Sequence, residues 1–271
     1  MKPIIFFGKS IDIQPVAISI GNVHIYWYGI IIAAAFLLQI LLLKDRTRDS
    51  KNSFGIDYDS VLDYAFGAII FGFLCARIYY VIFRWDYYIS YPAEMIQIWN
   101  GGIAIYGGII GAVLYGVYYT KKKKISFWNF ADLLIPHLAL AQSIGRWGNF
   151  INREAYGAVC SLPWKMGIYM DSLQEYWYVH PTFLYESLLT FFLFILLMYL
   201  SKKRKFEGQI FDTYMVIYGI GRAMIEGFRT DSLMLFDVRV SQVLGILLAV
   251  FFSSLLLTIL VKYGKKEKES T

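Results

Sequence analysis

Three arginines, Arg77, Arg146 and Arg222, interrupt stretches that are otherwise apolar enough to cross a membrane. A guanidinium at the bilayer centre costs at least about 2.5–3.5 kcal/mol, so such a residue persists when it packs against a partner or serves a function. The guanidinium also presents a planar fork of donors that matches the oxygens of phosphate. Converging intramembrane arginines therefore predict a site for an anionic lipid head group.

The run GRWGNFINREAYG, which begins at Gly145, holds the densest group of polar side chains. Arg146 and Asn149 are three residues apart and share one face of a helix. Gly145 and Gly148 lack side chains there, which lets a ligand or another helix approach the backbone. The alternative is a helix end capped by asparagine, with its arginine extending to water. We prefer that alternative for Arg153, and a binding site for Arg146 with Asn149, because polar groups at depth are usually functional.

A second run, YGIGRAMIEGFRTD, places polar groups in a stripe on one helix face. The stripe contains Tyr218, Arg222, Glu226 and Arg229, at spacings of four, four and three residues. Arg222 and Glu226 can pair directly, and a purely structural ion pair is one interpretation. The other interpretation is that Glu226 orients the guanidinium for a phosphate. We favour the second because Arg146 offers another cation at similar depth.

Two further runs carry polar residues near the ends of apolar stretches. In GGIAIYGGIIGA, glycines flank Tyr106, and Gly107 with Gly111 forms a small-residue face that predicts close helix packing. These glycines also leave room for acyl chains near the tyrosine. In HPTFLYES, Pro181 suits the start of a helix, and Glu186 follows in its second turn.

The composition defines the environment of these residues. Apolar residues make up 58% of the chain and charged residues only 17%, whereas about a quarter of the residues in a soluble domain are charged. The apolar residues are spread along the whole chain, which predicts an integral membrane protein with one transmembrane domain, residues 1–271. Cys75 and Cys160 do not indicate a disulfide framework or a metal site. The sequence also lacks the motifs typical of zinc peptidases, serine hydrolases and phosphate-binding loops.

Seven stretches are long and apolar enough to cross the hydrocarbon core, which takes about 20 residues of helix. They are approximately 25–43, 62–83, 101–119, 132–151, 182–200, 208–228 and 241–261. The sequence therefore predicts an all-α integral membrane protein with seven transmembrane helices. Sixteen of the 26 basic residues, Lys51 among them, follow the first, third, fifth and seventh stretches.

The positive-inside rule places those basic residues in the cytoplasm, so the amino terminus is expected outside and the carboxyl terminus in the cytoplasm. The three intramembrane arginines then fall in the outer half of the bilayer, together with Tyr28, Tyr106 and Glu186. The external loop 152–181 is rich in aromatic residues, which indicates either a small external cap or a plain aromatic belt. The segment before the first helix alternates weakly and predicts a short strand or a surface helix.

These runs occur in an order that resembles the bacterial prolipoprotein diacylglyceryl transferases. The matching runs are IYWYG (25–29), ARIYYVIF (76–83), GGIAIYGG (101–108), GRWGNFINREAYG (145–157), HPTFLYE (180–186) and YGIGRAMIEGFR (218–229). They span nearly the whole chain, and the run at 145–157 is highly specific. The family has seven transmembrane helices with the amino terminus outside, so the resemblance implies the topology predicted above.

The resemblance implies an enzyme of the bacterial cell membrane that moves the diacylglyceryl group of phosphatidylglycerol. The acceptor is the lipobox cysteine of a lipoprotein precursor, and glycerol 1-phosphate is released. Arg146 and Arg222 are implied to bind the phosphate. The other positions that match functional residues of the family are Tyr28, Asn149, Glu154, Gly157, Tyr218 and Glu226. We add Arg77 to the substrate-binding set; no metal, cofactor or nucleic acid is expected.

One position departs from the family pattern. Many members have histidine between the glycine pairs, where this chain has Tyr106. A phenol with a pKa of about 10 is a poor base at neutral pH. We therefore expect Tyr106 to position the substrate, and the base stays unassigned. Nearby arginines are expected to increase the thiolate fraction of the substrate cysteine and to stabilise the departing phosphate.

Two other functions stay open from the residues. A transporter or flippase of an anionic lipid also needs buried arginines, although it often shows internal repeats and midplane sites that this sequence lacks. A structural scaffold would keep its arginines only in ion pairs. Replacing Arg222 by lysine separates these functions, because a scaffold tolerates the retained charge and a bidentate phosphate site does not.

Overall fold

The computed structural model describes residues 2–21, 23–48 and 54–270, with Asn100, Leu235 and residues 264–270 as backbone only. Lys51 therefore lies outside the described residues. Within them the chain forms eight α-helices and eight short β-strands. The helices are α1 (Trp27–Thr47), α2 (Tyr58–Phe83), α3 (Trp85–Ser90), α4 (Ile105–Lys123), α5 (Phe127–Asn152), α6 (Thr182–Ser201), α7 (Gln209–Glu226) and α8 (Val240–Ser270). Two 3-10 turns, Pro92–Ile96 and Ile98–Asn100, lie between α3 and α4.

The long helices overlap the seven apolar stretches, and α3 is an additional short helix. Four helical segments of the described chain are long and apolar enough to cross a membrane: α1, α2, α6 and residues Val240–Tyr263 of α8. The protein is thus mostly helical with candidate membrane spans, as the sequence predicts. The count of seven crossings, the orientation and the single transmembrane domain stay predictions.

The prediction of an all-α protein is wrong, because strands form outside the long helices. The strands are β1 (Ile4–Phe6), β2 (Lys9–Ile11), β3 (Val16–Ile20), β4 (Val23–Tyr26), β5 (Met166–Met170), β6 (Glu175–Val179), β7 (Met234–Leu235) and β8 (Val238–Arg239). The sequence predicts either a short strand or a surface helix before the first helix, and the structure has strands there, the antiparallel pair β3–β4. Residues 152–181 contain the hairpin β5–β6, whose aromatic and β-branched residues suit a pleated surface. The position of this segment relative to the membrane stays a prediction.

A four-stranded sheet connects the amino-terminal residues to that hairpin. Its order is β2-β1-β5-β6, and β1 pairs antiparallel to β5. Beneath it lies a buried apolar cluster formed by Ile4, Phe6, Phe150, Ile151, Met166, Ile168, Val179 and Phe183. Because this cluster includes the end of α5 and the beginning of α6, the sheet holds together the two helix ends that carry polar runs.

The chain divides into two compact units. The larger unit consists of Met1–Leu41 with Ala131–Thr271, and the smaller unit consists of Leu42–Phe130. The larger unit contains most of α5 and all of α6, α7 and α8, whereas the smaller unit contains α2, α3 and α4.

A buried carboxylate fixes the start of α7 in the larger unit. Asp132 of α5 is fully buried, and its oxygens accept hydrogen bonds of 2.8–3.0 Å from the amides of Gly208, Ile210 and Phe211. Arg204 pairs with the same carboxylate at 3.2 Å. The first amides of a helix lack intrahelical partners. The Asp132 carboxylate accepts their hydrogen bonds and so fixes α7 against α5.

Close helix packing organises the smaller unit. A Cβ atom on Gly107 would lie 2.5 Å from the Cys75 carbonyl oxygen, and one on Gly111 would lie 2.6 Å from the Phe71 carbonyl oxygen. Helices α2 and α4 therefore approach each other along backbone that has room only for glycine. This arrangement confirms the packing predicted from the small residues around Tyr106.

Candidate functional site

A buried carboxylate lies between two of the three intramembrane arginines. Glu186 of α6 has a side chain that is only 2% exposed. Its Oε1 accepts a hydrogen bond from Nη2 of Arg146, and its Oε2 accepts one of 2.9 Å from Nη1 of Arg222. The hydroxyl of Tyr218 also donates to Oε1, at 3.0 Å. Residues from α5, α6 and α7 therefore converge on one anion within the larger unit.

The stripe predicted on α7 forms a chain of ion pairs. Arg222 Nη2 lies 2.7 Å from Glu226 Oε2, which confirms the predicted pairing. Arg229 Nε lies 3.8 Å from the same oxygen, and Arg229 also donates two hydrogen bonds of 3.0 Å to Asp231. Glu226 thus lies between the guanidiniums of Arg222 and Arg229. Arg229 also pairs with the exposed carboxylate of Asp231.

A second polar chain leads from Arg146 beyond the end of α5. Arg146 Nη1 donates to Asn149 Oδ1 at 3.2 Å, and Asn149 Nδ2 donates to Glu154 Oε1 at 2.8 Å. The side-chain amide of Asn152 donates to the same Glu154 oxygen at 3.3 Å. The contact between Arg146 and Asn149 confirms that they share a helix face. It also connects the buried cluster to an exposed carboxylate.

Arg153 has a role that the sequence interpretation did not include. Its Nη2 donates to the carbonyl oxygens of Lys2 and Ile13, at 3.1 and 3.0 Å. The structure therefore corrects the interpretation of a side chain that simply extends to water. Arg153 fastens the amino-terminal segment to the end of α5.

Small residues let α1 approach α5 beside the arginine. A Cβ atom on Gly148 would overlap the ring of Tyr28, and one on Gly145 would lie 3.1 Å from Ile32 Cδ1. The sequence predicts that either a ligand or another helix approaches the backbone at these glycines, and the structure places helix α1 there. Tyr28 thereby packs against Gly148, two residues after Arg146 on α5, and it keeps 37% of its surface exposed.

Gly157 lies where three segments of the chain meet. Its amide donates to the His180 carbonyl oxygen at 2.9 Å. A Cβ atom on Gly157 would lie 2.7 Å from His180 Cβ and 2.8 Å from the Phe228 carbonyl oxygen. The site position predicted at Gly157 thus holds the residues after α5 against the start of α6 and the end of α7.

Arg77, in the smaller unit, has main-chain partners instead. Its Nε donates to Met95 O at 2.9 Å, and its Nη2 donates to Glu94 O at 2.6 Å. Its Nη1 donates to the carbonyl oxygens of Gly101 and Gly102, both at 2.7 Å. These contacts tie the 3-10 turns and the segment that follows them to α2. A structural role explains them, and the predicted role of Arg77 in lipid binding is untested.

Tyr106 also belongs to the smaller unit, where it is the second residue of α4 and is 38% exposed. The expectation that Tyr106 lies at the same depth as Arg146 and Arg222 stays a prediction. Its role in positioning the substrate also stays a prediction.

The two arginines that pair with Glu186 keep part of their side-chain surface exposed. The side chains of Arg146 and Arg222 are 23% and 16% exposed, whereas Glu186 and Glu226 are 2% exposed. A guanidinium has five N–H donors, and the contacts above engage two nitrogens of each arginine. The four charges balance formally, so directed N–H donors, rather than a net positive charge, are what the cluster offers an anion. Among the described residues, no group of His, Cys, Asp and Glu has the arrangement of a metal site.

Glu186 is absent from the site that the sequence predicts, although the sequence places it near the outer end of its helix. The available signal was an acidic residue in the second turn of a helix that otherwise lacks charge as far as Ser201. A carboxylate there needs a cationic partner. The three intramembrane arginines were the only cations at similar depth in the sequence.

Long apolar helices, among them candidate membrane spans, define the class as a helical membrane protein, and its arginines pair with buried carboxylates. The chain matches the family model described as prolipoprotein diacylglyceryl transferase over residues 15–258. It therefore belongs to the prolipoprotein diacylglyceryl transferase family, in agreement with the resemblance found in the sequence.

Relatives named phosphatidylglycerol--prolipoprotein diacylglyceryl transferase resemble the chain over most of its length. The protein of Clostridioides difficile is 47% identical over 233 residues, 86% of this chain and 90% of that protein. The protein of Listeria innocua is 45% identical over 251 residues, 90% of this chain and 89% of that protein. The protein of Bacillus cereus is 42% identical over 267 residues, 96% of this chain and 97% of that protein.

Proposed function

We propose that this protein transfers the diacylglyceryl group of phosphatidylglycerol to the lipobox cysteine of prolipoproteins, with Arg146 and Arg222 binding the phosphate. The observation that carries the proposal is the convergence of both guanidiniums on the two oxygens of Glu186. Forks that reach one carboxylate from two helices are close enough to act on the oxygens of one phosphate as well. Both have exposed surface through which to do so.

In this reaction the substrate thiol loses its proton, and its sulfur bonds to the carbon of the diacylglycerol moiety that carries the phosphate. The bond from that carbon to the phosphate oxygen breaks, and the oxygen keeps the electron pair. Glycerol 1-phosphate leaves, and the proton lost by the thiol balances the charge of the phosphate monoester. Because negative charge gathers on the leaving phosphate, donors already aimed at it lower the barrier.

The other site residues support this pair of arginines. Asn149 and Glu226 each contact one of the arginines, and Tyr218 contacts their shared carboxylate. Glu154 extends the polar chain to the surface, where a peptide substrate can approach. Tyr28 and Gly157 shape the site by packing, and Tyr106 positions the substrate. These roles, like the absence of any cofactor, belong to the proposal.

We also propose the full topology: seven crossings of the bacterial cell membrane, with the amino terminus outside and the carboxyl terminus in the cytoplasm. Seven long helices at the expected positions support it, as does the excess of basic residues on alternate sides. In this topology residues 152–181, with the hairpin β5–β6, form the external cap. The site then opens toward the outer leaflet, where exported precursors arrive.

An assay with purified protein, phosphatidylglycerol and a lipobox peptide tests the proposed activity. Mass spectrometry is expected to show a diacylglyceryl group on the cysteine, with stoichiometric glycerol 1-phosphate. A peptide with serine in place of the cysteine is the matched control and should stay unmodified. Movement of the lipid between leaflets with an unmodified cysteine would instead indicate the transporter or flippase alternative.

A further inference from the structure

Glu186 links the three helices that form the candidate site. It lies on α6 and accepts hydrogen bonds from Arg146 of α5 and from Tyr218 and Arg222 of α7. We propose that Glu186 is a positioning residue, which fixes the separation and orientation of the two phosphate-binding guanidiniums. This inference rests on the proposed function of Arg146 and Arg222.

Burial separates this role from a direct catalytic one. The Glu186 side chain is 2% exposed, and three donors approach its two oxygens. It therefore has no surface with which to contact a lipid or a peptide thiol. Whatever Glu186 contributes to transfer must pass through the arginines it holds.

A carboxylate suits this position for an electrostatic reason. Two guanidiniums that face one phosphate repel each other, and the repulsion is strong away from water. An anion behind them offsets the repulsion and offers each guanidinium its own oxygen. A glutamine of the same shape would offer one acceptor oxygen, and its amide nitrogen would oppose the other guanidinium. Glu186→Gln should therefore release one arginine while it keeps the packing.

The backbone around Glu186 is fastened by contacts of its own. Ser143 Oγ donates to the Ser187 carbonyl oxygen at 2.8 Å, and Ser187 Oγ donates to the Ser143 carbonyl oxygen at 2.9 Å. Helices α5 and α6 are thus joined one residue away from Glu186, without the arginines. Ser187→Ala is a matched control, because it weakens this contact between α5 and α6 and leaves the ion pairs intact.

The experiment measures kcat and KM for phosphatidylglycerol and for a lipobox peptide, using the full-length protein in lipid nanodiscs, together with Tm. Glu186→Gln is expected to lower kcat/KM for phosphatidylglycerol about 10- to 100-fold. KM for the peptide should stay near that of the parent protein, and activity is compared per folded molecule because loss of the buried charge is expected to lower Tm. Ser187→Ala should change kcat/KM by less than about threefold. Unchanged kcat/KM for phosphatidylglycerol in Glu186→Gln would overturn the inference.

Arg222→Lys in the same assay distinguishes this inference from the proposed function. If Arg222→Lys loses activity and Glu186→Gln keeps it, only the positioning role is wrong. If Arg222→Lys keeps full activity, the phosphate-binding function fails as well. Should Glu186→Gln fail to fold, Tyr218→Phe decides, because it removes one donor to Glu186 and retains both ion pairs. A severalfold fall in its kcat/KM for phosphatidylglycerol at unchanged Tm supports the inference, and no change overturns it.

Discussion

The two compact units each hold arginine within a long helix, but they satisfy its donors in different ways. In the smaller unit, all three guanidinium nitrogens of Arg77 donate to main-chain carbonyl oxygens, and the residue is 7% exposed. In the larger unit, Arg146 and Arg222 pair with the side chain of Glu186 and keep 23% and 16% of their own surface exposed. In one arrangement the main chain engages every guanidinium nitrogen, and in the other a carboxylate pairs with arginines whose side chains stay partly exposed.

This difference shows that an arginine in an apolar helix indicates an energetic cost of burial but does not show whether the residue is structural or binds a ligand. The carbonyl partners of Arg77 belong to the backbone, so Arg77 holds the turns between α3 and α4 in place. Buried side-chain carboxylates pair with Arg146 and Arg222, whose own side chains keep some exposed surface. The partners of the arginine, rather than its depth in the helix, separate a structural residue from a candidate binding residue.

The largest expected effect is the loss of transfer when either paired arginine becomes lysine. Arg146→Lys and Arg222→Lys keep the charge but lose the planar fork. We expect kcat/KM for phosphatidylglycerol to fall about 100- to 1000-fold, as when a single transition-state donor is removed. The measurement is the peptide-lipidation assay on folded protein. Activity near that of the parent protein in both variants would contradict the phosphate-binding role that separates the arginines of the larger unit from Arg77.

Arg77→Lys is the matched change in the smaller unit, and we expect it to act on stability. A lysine cannot reach all four carbonyl oxygens that Arg77 contacts, so several buried acceptors lose their donor. The free energy of unfolding should fall by about 3 kcal/mol, measured by thermal or denaturant unfolding in detergent. Activity per folded molecule should stay within about threefold of the parent. A large loss of kcat/KM at unchanged stability would instead place Arg77 in the lipid site.

Glycine substitutions extend the comparison to helix packing. Gly107→Ala places its methyl group against the Cys75 carbonyl oxygen, which belongs to rigid backbone. We expect it to destabilise the protein by about 2 kcal/mol and to spare specific activity, as Tm and the transfer assay can show. Gly148→Ala displaces the ring of Tyr28 beside Arg146, so it should lower specific activity more than Tm. The opposite pattern would contradict the assignment of the two packing contacts.

The smallest expected effect concerns Asp57, which caps α2 in the smaller unit outside the apolar span. Its carboxylate accepts a 2.6 Å hydrogen bond from the Ser60 amide, and this bond lowers its pKa below the usual value of 3.8. The resulting stabilisation is present above the usual pKa and is lost as the pH falls through the lower pKa of the folded state. Asp57→Ala should cost about 1 kcal/mol near pH 6.

Unfolding measured between pH 6 and pH 3 checks this effect. The difference between the parent protein and Asp57→Ala should shrink toward the acid end, and transfer activity at neutral pH should not change. A difference that is constant over this range would show that the cap does not depend on the ionised carboxylate.

Local periodicity explains what the sequence could predict. The long helices, the pairing of Arg222 with Glu226 and the contact of Arg146 with Asn149 follow from spacings within one helix. The close approach of α2 and α4 follows from small residues at helical spacing. Each of these features depends on residues a few positions apart, which a pattern along the chain records.

Features that depend on distant segments were not predictable in the same way. The pairing of β1 with β5 joins residues about 160 positions apart, and no local pattern fixes that register. The role of Glu186 depends on how three helices rotate against one another. The partners of Arg77 are carbonyl oxygens, which every residue has and which therefore leave no mark in the sequence.

The central claim, that Arg146 and Arg222 act on the same phosphate, is tested most directly by a double-mutant cycle. It compares kcat/KM for phosphatidylglycerol in the parent protein, Arg146→Lys, Arg222→Lys and the double variant. If both forks hold one phosphate, either change disrupts the shared geometry, and the double variant should be little worse than the poorer single variant. Losses that multiply independently would contradict the claim, because they would show that the two arginines act separately.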